Sequence, residues 1–124
     1  MKVEKGMVDK KELKRQYKEA LPPMGVFKIE NTVNGKILIG STKNLPGKSN
    51  STMFQLKQGT HMNKTLQQEY KQFGAAGFIF TVLDTLEPQE GIHYDYTEDL
   101  TTLENMWLQK LQPYGEKGYN KRKL

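Results

Sequence analysis

Apolar and polar positions change rhythm several times along this chain, and each change marks an element. Over 8–21 Lys, Glu, Leu and Ala dominate, and only Leu13, Tyr17 and Leu21 form an apolar stripe. That pattern predicts a helical arm outside the main core, ended by Pro22-Pro23. From Gly25 the period falls to two: Gly25-Val26-Phe27-Lys28-Ile29-Glu30 leads to Asn34-Gly35, and Lys36-Ile37-Leu38-Ile39-Gly40 follows. Two β-branched runs around Asn-Gly predict a hairpin, because both turn residues accept the positive φ of a type I′ turn. With an even-numbered loop, Phe27, Ile29 and Leu38 share one face.

The next stretch, 41–50, is broken by Pro46 and Gly47, so the pattern predicts a helix only from about Ser51 to Gln58. Asn50 or Ser51 would cap it and Gly59 stop it. Met62, Leu66, Tyr70 and Phe73 then recur at helical spacing up to Gly74. The compact apolar run over 77–83 predicts a central strand. A loop over 87–95 precedes a last helix over 97–111, which Pro113-Tyr114-Gly115 terminates. The fold class is therefore α/β of the α+β kind: a small three-stranded sheet with an N-terminal β-hairpin, flanked by helices. One domain spans 24–120, between a basic helical arm over 1–23 and a basic tail over 121–124.

Composition narrows the setting. At 124 residues the chain supports one modest core. Hydrophobic residues are 35% and aromatic residues 10%, which fits a folded domain with a large wet surface. The absence of cysteine excludes disulfides and thiolate metal sites, and suits a reducing compartment. No apolar run approaches a membrane span, and the basic N-terminus has no apolar segment behind it. The expected location is cytoplasmic, without a membrane partner. A net charge of +5 and a pI near 9.3 favour polyanionic partners, whose condensed counterions are released on binding. Lys10, Lys11, Lys14, Arg15, Lys43, Lys121, Arg122 and Lys123 are the candidate nucleic-acid contacts.

One carboxylate sits where patterning does not want it. At 100° per residue Leu100, Leu103, Trp107 and Leu111 make one apolar stripe, and Glu104 falls inside it. Such a group needs a cation, a hydrogen-bond network or a metal to offset its desolvation. The alternative is a capping box over Thr101-Thr102-Leu103-Glu104, with Glu104 folded back onto the helix start.

Taken together, these segments resemble the GIY-YIG nuclease superfamily. Gly25-Val26-Phe27 stands where that family has Gly-Ile-Tyr, and Leu38-Ile39-Gly40 where it has Tyr-Ile-Gly. Ser41-Thr42-Lys43-Asn44-Leu45, Gly59-Thr60-His61, Gly77-Phe78-Ile79-Phe80, Leu103-Glu104-Asn105-Met106-Trp107 and Gly118-Tyr119-Asn120 follow in the family's order. The resemblance implies phosphodiester hydrolysis with one divalent ion, Mg²⁺ or Mn²⁺, on Glu104. His61 and Asn120 would support the site, and DNA would be the expected substrate.

The pattern breaks at the chemistry. Phe27 and Leu38 occupy the family's tyrosine positions and can carry no proton. Lys48 stands at the family's arginine, keeping the charge and losing the bidentate fork. Its neighbours Pro46 and Gly47 predict no helix there to aim it. Thr52 stands where many members carry a second histidine. Tyr70, His61 or metal-bound hydroxide are the conceivable substitute bases. Three readings follow: a nucleic-acid-binding protein with weak or lost nuclease activity, an active metal-dependent endonuclease with a modified site, or a protein-interaction module using an apolar patch around Phe27 and Leu38.

Overall fold

A computed structural model of the chain describes residues 21–89 and 94–122. Most of the predicted arm lies outside the described residues, as do Lys10, Lys11, Lys14, Arg15 and Lys123. Three antiparallel strands form one sheet in the order β2-β1-β3, with β1 at Met24–Asn31, β2 at Ile37–Thr42 and β3 at Phe78–Leu86.

The hairpin forms between β1 and β2 with Phe27 opposite Gly40 and Ile29 opposite Leu38, so these side chains share a face as expected. Its turn differs from type I′. Only Gly35 takes a positive φ, 80°, and the connection is a longer loop closed by Asn31 N–H to the Lys36 carbonyl at 2.9 Å. The expected central strand also moves. β3 is an edge, with Ile79 and Val82 about half exposed, and β1 is central. Lys28 and Glu30 disguise β1 in the sequence. They pair with each other at 3.3 Å, while Met24, Val26, Phe27, Ile29 and Asn31 are all buried. At the Val26/Phe27 step the β1–β3 register shifts, leaving Leu83 as the extra residue. Gly25 lies beside this bulge, where any Cβ would overlap the Asp84 carbonyl.

Helix α1 spans Leu45–Gln58 and begins well before the predicted Ser51. Asn44 caps it, its Oδ1 accepting the Gly47 N–H at 3.0 Å. Pro46 falls in the first turn, where an amide hydrogen has no helical partner anyway, so the proline does not break the helix. Lys48 is thus helical after all. Helix α2 spans Lys64–Phe73 and is capped by Asn63, so Met62 lies ahead of it and is exposed. Helix α3 spans Thr97–Leu111, and the Asp95 carboxylate takes the Thr97 N–H at 3.0 Å. Glu104 is therefore two turns into the helix, which overturns the capping-box alternative. The Thr101 hydroxyl donates to the Thr97 carbonyl instead.

Helices cover both faces of the sheet. α1 and α2 pack on the face carrying Phe27, Ile29 and Phe78, through Leu45, Leu56 and Leu66. α3 packs on the opposite face, where Leu108 meets Val26 and Ile39 with Trp107 and Leu111 alongside. A smaller cluster of Met24, Tyr96 and Leu100 closes one end. Beyond α3 the chain returns along β2. Gly118 forms a parallel bridge with Ile37, and the Tyr119 N–H donates to the Ile37 carbonyl at 2.9 Å. No helix among the described residues is long and apolar enough to cross a membrane.

Candidate functional site

The two helical layers meet at the outer edge of β2, and there a cavity of about 380 Å³ opens. Phe27, Ile29, Leu38, Ile39 and Gly40 form its apolar side. Lys48, Thr52 and Gln55 reach it from α1, His61 and Asn63 from the loop before α2, and Glu104 from α3. Residues far apart in sequence thus converge because both helical layers abut one edge strand.

Glu104 is half-buried, and its Oε1 accepts the Ser41 hydroxyl at 2.6 Å. That short, charge-assisted bond fixes the carboxylate against β2. Ser41 was legible only as part of the segment after Gly40; its pairing with Glu104 needed the register that turns Ser41 toward α3.

Phe27 is 3% exposed and stacks on Phe80 with ring centroids 4.8 Å apart. Its Cζ presses on Gly40, where a Cβ would lie 2.7 Å away. The third sequence reading needed an exposed patch at Phe27 and Leu38. It fails because Phe27 is core and Leu38 packs against that core. Tyr70 packs on Phe78 and does not line the cavity. No tyrosine among the described residues lines it.

His61 is partly buried. Its own N–H donates to Gln67 Oε1 at 3.0 Å, and its ring Nδ1 accepts the Asn63 N–H at 3.0 Å. Burial, and then the nearby Lys48 charge, hold its pKa below the ordinary 6.5. Asn63 is a residue the sequence reading missed. Its Oδ1 caps α2 and its Nδ2 donates to the Tyr119 carbonyl at 2.8 Å, tying the loop to the C-terminal segment.

Asn120 does not line the cavity. Its Oδ1 accepts the Ile39 N–H at 2.8 Å and its Nδ2 donates to the Ile39 carbonyl at 2.9 Å. The side-chain amide acts as a short piece of strand added to β2. Behind it, Glu69 on α2 gathers the Tyr119 hydroxyl at 2.6 Å, Asn34 Nδ2 at 2.9 Å and Lys36 Nζ at 3.2 Å. Burial pushes the Glu69 pKa up, but these hydrogen bonds outweigh it and hold the carboxyl below its ordinary 4.5. Burial and the bond to Glu69 push the Tyr119 phenol up to about 12.

The remaining basic candidates are surface groups. Lys43 pairs with Asp95 at 3.6 Å, both well exposed. Arg122 lies over the Tyr114 ring, 4.4 Å from its centroid. Lys121 is exposed and edges a groove of about 240 Å³ with Lys36 and Lys64.

Among the described residues no three His, Cys, Asp or Glu side chains gather into a metal-binding group. Glu104, steadied by the Ser41 hydroxyl, is the carboxylate among the described residues lining the cavity, and His61, whose Nδ1 already accepts the Asn63 N–H, is the imidazole. That composition suits Mg²⁺, which takes one or two carboxylates and keeps its waters, and does not suit a closed all-protein cage.

A three-stranded antiparallel sheet between helical layers, as in this chain, has the fold of the GIY-YIG superfamily. The chain is similar to the catalytic domain of the homing endonuclease I-TevI, at a TM-score of 0.67 and 24% identity over 81% of this chain and 99% of that one. A point-mutant form of the same intron-endonuclease domain gives a TM-score of 0.65 at 25% identity, covering 79% and 92%. No protein-family model and no curated protein matches the sequence. The likeness at this identity is one of fold.

Proposed function

We propose that this protein binds nucleic acid, DNA first, through the cavity at the β2 edge, and hydrolyses it weakly or not at all. The observation that carries this reading is the place of Phe27. It is buried, stacked on Phe80, and without a hydroxyl, at the position where the resemblance expects a proton-transferring phenol. Leu38 is as silent, and Tyr70 is turned to the core. Losing one such oriented group costs roughly two to four orders of magnitude in rate. Against that loss, Lys48 and Glu104 still line the cavity, so a phosphate would meet a cation on one wall. The net charge of +5 supports a polyanionic partner.

A modified-site endonuclease is the second reading, and the Ser41–Glu104 bond favours it, because an oriented carboxylate suits a metal ligand. Glu104 would hold Mg²⁺ or Mn²⁺, which when bound supplies Lewis acidity toward a phosphate oxygen. Lys48 would offset phosphate charge, and the apolar side would limit water.

Cleavage assays on duplex, branched and single-stranded DNA with Mg²⁺ or Mn²⁺, run beside Glu104→Ala, separate the two. Salt-sensitive binding without cleavage, unchanged in the variant, is the expected result. Metal-dependent cleavage that disappears in Glu104→Ala would establish the second reading. No binding at any salt concentration would refute the first.

A further inference from the structure

Thr52 is the anomaly among the cavity's side chains. It is 1% exposed, and its Oγ1 has no hydrogen-bond partner among the described residues. A helical threonine ordinarily donates back to a carbonyl three or four positions earlier. Here the Ser51 hydroxyl takes the Lys48 carbonyl at 3.3 Å. A buried hydroxyl is costly to leave unmade, so its place on the cavity wall points to a group that enters the cavity.

His61 supplies the second part. Its Nδ1 is occupied by the Asn63 N–H, which puts the proton of the neutral ring on Nε2. Protonating Nδ1 would break that bond, and Lys48 further disfavours a second positive charge. The charged groups lining the cavity are Lys48 from α1 and Glu104 from α3. Asn63 spends its side chain on Leu66 and Tyr119, and Ser41 on Glu104. The donors that remain on this wall are the Lys48 ammonium, the Thr52 hydroxyl and the Gln55 amide from α1, and the His61 Nε2–H from the loop before α2.

We propose that Lys48, Thr52 and His61 form a cradle of donors for an anionic phosphate oxygen, in which His61 acts as a neutral donor and not as a general base. The inference rests on the nucleic-acid reading above and deepens it. It assigns the phosphate-contacting groups and removes His61 from the possible substitute bases. A proton leaving water cannot go to a ring whose one acceptor nitrogen already holds a backbone amide.

The test measures binding of fluorescein-labelled duplex and single-stranded oligonucleotides in EDTA by wild type, Thr52→Val, His61→Gln and His61→Ala. Nitrogen-15 spectra of the imidazole accompany it, with His61 signals assigned through the variants. Thr52→Val should weaken binding about tenfold with a melting temperature unchanged or raised, since valine leaves no hydroxyl unpaired. His61→Gln, which keeps an N–H donor, should retain more affinity than His61→Ala. The spectrum should show protonated Nε2 and unprotonated Nδ1, with oligonucleotide shifting Nε2. Equal affinity of wild type and Thr52→Val, or an unprotonated Nε2, would overturn the cradle while leaving the proposed function standing. A wild type that binds no oligonucleotide refutes the proposed function and the cradle with it.

Discussion

Replacing Asn120 by alanine should loosen the sheet edge that carries the site. The side chain holds both backbone groups of Ile39, at 2.8 and 2.9 Å, and Ile39 itself is only 2% exposed. A buried amide or carbonyl left without its partner costs about 1–3 kcal/mol. Two such groups, partly reached by water because Asn120 is half-buried, give about 2–4 kcal/mol. For a domain of this size that lowers the melting temperature by about 8–16 °C. Urea denaturation reads the free energy, and native-state hydrogen exchange reads the Ile39 amide directly. Asn120→Asp is the informative companion. Its carboxylate still accepts the Ile39 N–H but repels the Ile39 carbonyl, so it should be as damaging at neutral pH and partly recover once protonated. A loss below about 0.5 kcal/mol in Asn120→Ala, with the Ile39 amide still protected, would refute the idea that this amide serves as strand.

Gly40→Ala should cost about 1–3 kcal/mol, because its Cβ would press on the Phe27 ring tip; adding Phe27→Leu should relieve most of it, and strict additivity in urea titrations would argue against the contact. The folded-state pKa of Glu69 lies below 4.5, so its stabilisation is present above that value and is lost as pH falls through the lower, folded pKa. Glu69→Gln should flatten stability against pH in that acid range, and an unchanged slope would discount the network. The triple change Phe27→Tyr, Leu38→Tyr and Lys48→Arg restores the groups the resemblance expects. It should gain Mg²⁺-dependent cleavage that Glu104→Ala removes, and no gain would mean the scaffold no longer aims those groups.

Much of the fold was legible because its signals are local. The Asn34-Gly35 turn and the alternation around it foretold which face Phe27, Ile29 and Leu38 share. Glu104 stood out because a carboxylate in a helical apolar stripe needs a partner. What misled was local signal with a non-local cause. Pro46-Gly47 looked like a break, yet the Asn44 cap and a first-turn proline start α1 there and bring Lys48 to the cavity. Lys28 and Glu30 made the central strand look half-exposed, although they satisfy each other. Asn63 was not read at all, and Asn120 was marked only through the resemblance and not for its bonds to β2, because their partners, Tyr119 and Ile39, lie far off in the chain.

The seal on β2 also sets an order of events. The hairpin and the cavity-lining helix leave the ribosome before the groups that close their outer edge, at Gly118 to Asn120. Until then Ile37 and Ile39 present an unpaired strand edge to any passing chain. A nascent domain of this design is open to mispairing until residues 118–120 have followed β2 out, and its cavity takes its final shape only when that segment docks. Such long-range closure slows folding relative to local pairing.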